Sequence, residues 1–287
     1  MLSIIGLVII HFCVFGVFVL HGGSTKVLLD ALPLELITIL GAGIGGMLIS
    51  TELSTIRDIG AGIGKVFAGS KWKKRDFLDT ILLVSNLMKI LRTKGARALE
   101  GDIEVPAESQ YFREYPRLMK DSDLIHLITD TIRIMIISSG NVNAFAVEEI
   151  MDIRIKRHQS KLNHASEALL TLAGALPALG IVACVLGIVK TMASIDQPPA
   201  ILGGLIGAAL LGTFLGVFLS YGIIEPIAKR IEHVTKEEGQ IYLVVKHIFV
   251  ATLHGHPQAL VIEAARAAIS HREQPSFNEV FDQLLGR

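Results

Sequence analysis

Apolar residues along this chain are gathered into four long runs instead of recurring at helical intervals throughout. The runs cover residues 2–20, 33–50, 168–189 and 201–224. About 20 apolar residues in a helix cross the hydrocarbon layer of a bilayer, at a rise of about 1.5 Å per residue. Each run therefore predicts a membrane-spanning helix. The first run lacks the basic start and small-residue cleavage site of a signal peptide, so it is predicted to stay in the protein.

Basic residues predict the orientation of these helices. The segment 52–167 carries most of the Lys and Arg, whereas the connections 21–32 and 191–200 contain only Lys26 between them. Cytoplasmic loops of membrane proteins carry the excess of basic residues. The segment 52–167, the N-terminus and the tail after Pro226 are therefore predicted to be cytoplasmic.

The polar part of the chain also predicts helices. Leu and Ile recur at helical spacing in 77–92 and 121–137. Asn143 is predicted to cap a long helix that continues into the third membrane span. Asp152 and Lys156 are spaced to form an ion pair one turn apart on that helix.

These patterns together predict an all-α fold: a polytopic membrane protein with four transmembrane helices and a helical cytoplasmic domain. The predicted divisions are 1–51 for the first two spans, 52–166 for the cytoplasmic domain, 167–225 for the last two spans and 226–287 for a cytoplasmic helical tail. Within the cytoplasmic domain, residues 55–69 are predicted to lie along the membrane surface.

The composition offers little catalytic chemistry. The formal net charge is zero and the pI is about 7.2, so nothing points to nucleic-acid binding. Cys13 and Cys184 both fall in apolar runs and give no disulfide framework or metal-ligand spacing. The pair His254 and His256 has no third ligand type beside it. We predict no catalytic residue, no metal site and no cofactor, and hence no enzyme.

The acidic residues of the spans lead to a more specific expectation. Membrane machines driven by protons or sodium ions need an ion-binding group in the bilayer, usually a carboxylate. Glu35 is near the outer end of the second run, Asp196 is in an outer loop and Glu225 ends the fourth run, so no carboxylate is expected at mid-membrane. The deep polar groups are the hydroxyls of Thr171 and Thr213, which can solvate an ion but cannot titrate. Either the chain moves no ions, or a partner chain supplies the carboxylate.

Two further polar positions in the spans have alternative interpretations. His11 lies within the first run, so it is a candidate functional group, but a neutral imidazole hydrogen-bonded within a helix pair is the simpler interpretation and the one we favour. Glu225 is spaced to form a local salt bridge with Lys229.

Small residues four apart predict close packing of the membrane helices, because lipid provides no hydrophobic drive between them. The glycine pairs with this spacing are Gly41 and Gly45, Gly203 and Gly207, and Gly212 and Gly216.

Several motifs resemble one known family over nearly the whole chain and in the same order. They are Asp102-Ile103-Glu104-Val105-Pro106, Glu108-Ser109, Tyr115-Pro116-Arg117, residues 145–152, Leu176-Pro177-Ala178-Leu179-Gly180, Gly212-Thr213-Phe214-Leu215-Gly216, Tyr221-Gly222, Pro226 and Pro275-Ser276-Phe277. These segments resemble the A subunit of the flagellar motor stator, MotA, of the MotA/TolQ/ExbB proton channel family.

The resemblance implies an ion-driven machine of the bacterial inner membrane. In this family, A subunits form a homopentameric ring around the single membrane helices of MotB-like partners, which supply the ion-binding aspartate. The ion current turns the ring against the rotor switch protein FliG and so drives flagellar rotation, motility and chemotaxis.

The resemblance also implies roles for individual residues. Arg92 and Glu100 match the basic and acidic residues that face the rotor. Pro177 and Pro226 match the two prolines that couple ion binding to movement, and Thr213 matches the pore-facing threonine. With Thr171, taken from the residues themselves, these form the predicted ion pathway.

Two other functions stay open from the sequence. A TolQ/ExbB-like energy-transducing subunit would use the same ion current, but those relatives have three spans and a different loop order. A membrane scaffold without ion coupling is the second alternative. Both protons and sodium ions remain candidates for the coupling ion.

Overall fold

The structure is a computed structural model, and it describes residues 2–23, 25–138 and 143–285. Within these ranges the chain forms helices and turns and contains no β-strand, which confirms the all-α prediction. The remaining residues lie outside the description.

The helices are numbered in chain order. The α-helices are α1 (Leu2–Leu20), α2 (Thr25–Ser50), α3 (Leu53–Ala68), α4 (Lys74–Lys94), α5 (Glu100–Glu104), α6 (Gln110–Arg113), α7 (Ser122–Ile137), α8 (Ala144–Met192), α9 (Pro199–Leu253), α10 (Gln258–Ala267) and α11 (Phe277–Leu285). Helices α1 and α9 each contain a wider π-helical stretch, Phe12–Gly16 and Phe218–Ile224. Short 3-10 turns occur at Ala96–Leu99 and Leu118–Lys120.

Four of the described helices, α1, α2, α8 and α9, are long and apolar enough to cross a membrane. They contain the four predicted runs, so the expected number of spans is confirmed. Helix α2 begins at Thr25, before the predicted start of the second run at Pro33. Pro33 therefore lies inside the helix.

The chain folds as two compact units. Residues Met1–Gly69 and Leu162–Val234 form the first, here called the membrane unit, and residues Ser70–Lys161 and Thr235–Arg287 form the second unit. Helix α3 thus belongs with the spans by its contacts. The predicted divisions at residues 51, 166 and 225 separate membrane-spanning parts of the chain from cytoplasmic parts. They stay predictions, because the two compact units are defined by contacts between residues and not by position in a membrane.

Helix α3 is amphipathic and buries one stripe in the membrane unit. Thr55, Ile59, Gly62 and Val66 are the buried positions, at helical spacings of three and four. A methyl group added at Gly62 would lie 3.1 Å from the Ile231 side chain, so glycine allows α3 and α9 to pack closely here.

The second unit is built on a large apolar core and on polar contacts at its helix ends. Asp121 caps α7 by accepting a hydrogen bond from the Leu124 N–H at 2.9 Å, and it also accepts from Lys71 Nζ at 2.7 Å and from the Tyr242 hydroxyl at 2.9 Å. Burial alone would raise the pKa of Asp121, but these three hydrogen bonds hold it below its usual range.

Helix α8 begins as predicted, but one of its ion pairs differs. The Phe145 N–H donates to Asn143 Oδ1 at 2.9 Å, which confirms Asn143 as the cap. Asp152 accepts hydrogen bonds from Lys246 Nζ at 2.7 and 2.9 Å. The predicted pairing of Asp152 with Lys156 is therefore replaced by a tertiary contact with α9.

Candidate functional site

Helices α8 and α9 touch each other backbone to backbone in the membrane unit. A methyl group added at Gly216 would lie 2.5 Å from the Leu176 carbonyl oxygen and 2.9 Å from Gly180 Cα. One added at Gly180 would lie 2.7 Å from the Gly212 carbonyl oxygen. No side chain fits at Gly180 or Gly216 without moving the helices apart, so the contact depends on glycine.

The glycine prediction is confirmed within this chain for the pair Gly212 and Gly216. Gly212 and Gly216 make the close contact, whereas a methyl group at Gly41, Gly45 or Gly203 would meet nothing within 4 Å. In α2 the close contact is instead at Gly43, where an added methyl group would lie 2.7 Å from Leu172. Sequence spacing alone did not distinguish glycines that face the chain's own helices from those that face outward.

A hydrogen bond between α8 and α9 compensates for Pro177. Proline has no N–H, so the carbonyl of Ala173, four residues earlier, loses its helical donor. The buried Ser220 hydroxyl donates to that carbonyl oxygen at 2.7 Å. The freed carbonyl is therefore satisfied by the neighbouring helix, as backbone groups in lipid must be.

Ser220 also belongs to the π-helical stretch that precedes Pro226. The Glu225 N–H donates to the Ser220 carbonyl, five residues back, which is the π-helical pattern. The wider turn ends at Ile224, two residues before Pro226, where a proline would otherwise clash with the preceding helical turn. Ser220 is thus close to both proline positions. Its hydroxyl bonds the carbonyl that Pro177 leaves free, and its carbonyl accepts from Glu225, the residue before Pro226.

The two predicted pathway threonines have different surroundings. Thr171 is exposed in the single chain, and its hydroxyl donates to the Glu167 carbonyl oxygen of its own helix at 3.0 Å. Thr213 is half-buried beside the close contact of Gly212. The structure does not bring the two hydroxyls into a hydrogen bond with each other.

His11 and Glu225, the two polar span residues with alternative interpretations, both make local contacts. His11 Nδ1 lies 2.8 Å from the Leu7 carbonyl oxygen, and its ring packs edge-on against Phe218 of α9 with 5.6 Å between ring centroids. The simpler interpretation of His11 as a packed, hydrogen-bonded ring is thus sufficient. Lys229 Nζ lies 2.6 Å from Glu225 Oε1, which confirms the predicted salt bridge.

Glu35 lies deeper than its position in the sequence indicated. Its Oε2 atom is buried, and it would lie 2.8 Å from a methyl group added at Gly212. Gly212 is at the midpoint of the apolar run 201–224. The Glu35 carboxyl group therefore lies beside the midpoint of the α9 run, because a glutamate side chain extends well away from its own backbone.

Arg92 and Glu100 are both exposed in the second unit, but they do not share a helix. Helix α4 ends at Lys94, and Gly95 has φ +82°, a left-handed conformation that ends the helix and favours glycine. The 3-10 turn Ala96–Leu99 follows, and Glu100 starts α5. Arg92 and Glu100 are therefore joined by a turn and not by a continuous helix.

The surface beside Arg92 is a shallow, basic pocket of about 270 Å³. Its walls come from α4, from the end of α9 and from α10. The lining residues are Ser85, Met88, Lys89, Arg92, Thr93, Thr252, Gln258 and Val261.

Ser220 was missed from the sequence, and Glu35 was noted there but was placed only near the outer end of its span. Ser220 interrupts an otherwise apolar stretch, and it stands four residues before Ile224 near the end of a span, so its polarity was the available signal. For Glu35 the signal was a carboxyl group within a helix of membrane-spanning length.

Four apolar helices, joined by glycine contacts and carrying two proline positions, define a polytopic helical membrane protein. Residues 4–95 match the model of the motility protein A N-terminal domain, and residues 124–242 match that of the MotA/TolQ/ExbB proton channel family. The chain is 37% identical to motility protein A of Salmonella typhimurium and 36% identical to that of Escherichia coli, in each case over 99% of this chain and 95% of the relative.

The chain therefore belongs to the motility protein A family. A solved structure of the flagellar MotAB stator complex from Bacillus subtilis has the same fold, with a TM-score of 0.70 and 19% identity, over 95% of this chain and 98% of that one. The family is a channel and stator family. The four spans of this chain distinguish it from the three-span TolQ/ExbB-like alternative that the sequence left open.

The Ser220 hydrogen bond predicts a mutational coupling. Replacing Ser220 by Ala leaves the buried Ala173 carbonyl without a donor, which costs about 1–3 kcal/mol of unfolding free energy. In a Pro177→Leu background the restored N–H can bond that carbonyl, so the cost of Ser220→Ala should fall below about 1 kcal/mol. Unfolding of the four purified variants in detergent measures the coupling.

Ser166→Ala is the matched control for this cycle. The Ser166 hydroxyl also donates across the unit, to the Ala228 carbonyl oxygen at 2.8 Å, but Glu232 four residues later retains its N–H. Its effect should be the same with Pro177 or Leu at position 177. Equal costs of Ser220→Ala in both backgrounds would contradict the role assigned to Ser220.

Proposed function

We propose that this chain is the ring-forming subunit of an ion-driven flagellar motor stator in the bacterial inner membrane. The observation that carries the proposal is the similarity to motility protein A over 99% of the chain. The fold shared with a MotAB stator complex, together with the proline and glycine contacts of α8 and α9, supports it. Both termini are cytoplasmic in this proposal, as the distribution of basic residues requires.

The partner is a MotB-like chain whose single membrane helix carries the ion-binding aspartate. The apolar runs 168–189 and 201–224 contain no charged residue, so α8 and α9 offer hydroxyl groups but no charge to a passing ion. Thr171 is exposed in the single chain, where a second helix can approach it. Five copies of this chain form a ring around the partner helices, with Thr171 and Thr213 along the ion pathway.

Pro177 and Pro226 act as the joints that convert ion binding into movement. Each lacks a backbone donor, and the Ser220 hydrogen bond connects their surroundings. A single hydrogen bond of this kind contributes only about 1 kcal/mol, so it can break and re-form during a working cycle.

The rotor-facing surface lies on the second unit and acts on FliG through charge. The end of α4 and the following turn expose Arg92, Lys94 and Arg97, and α5 begins with the exposed Glu100. Neither Arg92 nor Glu100 forms an ion pair in the part of the chain that the structure describes. Both charges are therefore available to a partner protein.

The test of the function is ion flux through the chain with and without its partner. The purified chain alone in liposomes should conduct neither protons nor sodium ions, because the runs 168–189 and 201–224 contain no Asp, Glu, Lys, Arg or His and the relaying carboxylate comes from the partner. Reconstitution with the MotB-like chain, in an unplugged form, should produce flux that is lost when the partner's membrane aspartate becomes asparagine. Robust flux through the single chain would contradict the division of roles.

Proline replacement tests the proposed joints. Pro177→Leu and Pro226→Leu should insert and assemble normally, since leucine favours both helix and lipid. Swimming speed should fall severalfold, because the restored N–H groups stiffen α8 and α9. Membrane-fraction abundance and complex size are measured alongside, with Pro33→Leu as the control proline outside this helix pair. Normal swimming of Pro226→Leu would rule out its role as a joint, and loss of assembly would show that it is structural.

Charge reversal tests the rotor-facing surface. Exposed ion pairs contribute about 1 kcal/mol or less each, so Arg92→Glu and Glu100→Lys should each reduce swimming only partly. The double variant should swim markedly less than either single variant at equal membrane abundance. Arg272→Glu, at a side chain that is 90% exposed, is the control and should swim normally. Wild-type swimming of the double variant would exclude these residues from the contact.

A further inference from the structure

Among the described residues, Glu35 has a carboxyl group that reaches the contact between α8 and α9, beside Gly212 at the midpoint of the apolar run of α9. Three groups converge on the position where Gly212 lacks a side chain: Glu35 Oε2 at 2.8 Å, Ala183 Cβ at 3.1 Å and the Cys184 backbone nitrogen at 3.1 Å from an added methyl carbon. The absence of a side chain at Gly212 therefore makes the space in which the carboxyl group lies.

The carboxyl oxygen in this space has no compensating partner. Glu35 Oε2 is buried and forms no hydrogen bond within the residues that the structure describes. The runs 168–189 and 201–224, which supply α8 and α9 here, contain no Asp, Glu, Lys, Arg or His, and Cys184 is their titratable group nearest to Glu35. On its own helix the other charged residues at this end are Lys26 and Asp30.

An ionised carboxylate is disfavoured in such surroundings, because one of its oxygens is buried without a hydrogen-bond donor or a cation beside it. A carboxyl group that binds a proton becomes neutral and avoids this penalty. A proton fits better than a sodium ion, since a hard cation requires several oxygen ligands and Glu35 Oε2 is the one oxygen among the three atoms nearest to the added methyl carbon.

We propose that Glu35 is a proton-binding site of the membrane unit, held in its protonated form in the space beside Gly212 and next to Thr213. The chain thus contributes its own intramembrane proton carrier, separate from the carboxylate that a partner chain would bring. The inference does not rest on the stator function, because proton binding at Glu35 is measurable on this chain without a partner or a rotor.

Dicyclohexylcarbodiimide is the probe for this site. The reagent adds to a carboxylic acid in apolar surroundings, and the carboxyl proton passes to its nitrogen as the new C–O bond forms. Membrane vesicles containing the full chain are treated at a series of pH values, and the adduct on each carboxyl group is quantified by mass spectrometry of peptides. The exposed Asp30, on the same helix, serves as the internal comparison.

We expect Glu35 to react at least tenfold faster than Asp30 near neutral pH. Its rate should fall by about tenfold per pH unit once the pH passes the point of half-protonation. Glu35→Gln should remove the adduct from that peptide while membrane abundance stays unchanged. Absence of an adduct on Glu35 at every pH, with the peptide recovered, overturns the proposal, and so does equal labelling of Glu35 and Asp30.

A second pair of variants tests the position of the site. Gly212→Ala places a methyl group at 2.8 Å from Glu35 Oε2 and should displace the carboxyl group, which lowers its labelling severalfold. Gly203→Ala lies on the same helix in open space and should leave labelling unchanged. Labelling of Glu35 that is insensitive to Gly212→Ala in correctly inserted protein would show that the carboxyl group lies elsewhere.

Discussion

Direct contact between the backbones of α8 and α9 is the constraint on which the membrane unit depends. In lipid, apolar side chains gain nothing by leaving their surroundings, so helices associate through close packing and hydrogen bonds. Gly180 and Gly216 bring the two backbones so near that methyl groups added there would lie within 3 Å of backbone atoms of the other helix. This proximity also brings Ser220 within 2.7 Å of the Ala173 carbonyl oxygen. The close glycine contact therefore also positions the Ser220 hydroxyl, which replaces the backbone donor that is missing at Pro177.

The same contact gives the spans their chemistry. Glycine at position 212 leaves room for the Glu35 carboxyl group, and the π-helical stretch before Pro226 presents Ser220 toward α8. A proline and a wider helical turn both weaken the regular ladder of backbone bonds. Stable packing and a locally weakened backbone thus occur at neighbouring positions, which suits a helix pair that must move without coming apart.

The second unit is stabilised differently, because water competes for its polar groups. An apolar core provides most of its stability, and buried polar side chains such as Asp121 are satisfied by several donors. The exposed charges at Arg92 and Glu100 are joined by a turn at Gly95 and anchored by Leu99, which is fully buried. Their position is thus fixed by the core beneath them and not by a shared helix.

The sequence alone determined the features that depend on composition and local pattern. Four apolar runs are enough to predict four spans, since any such helix must cross the bilayer. The helix cap at Asn143 and the salt bridge between Glu225 and Lys229 follow from short-range spacing. The motifs around Pro177 and Pro226 also identified the family. These properties need no knowledge of which helix lies beside which.

Only the tertiary structure decided which groups meet across helices. It selected Gly212 and Gly216 over the equally spaced Gly41 and Gly45, and it paired Ser220 with the carbonyl that Pro177 leaves free. It also brought the Glu35 carboxyl group to the middle of another span, although the sequence placed that residue near a helix end. Spacing along a chain fixes the face of a helix, but the partner of that face is set by packing between segments more than 100 residues apart in the sequence, such as Glu35 and Gly212.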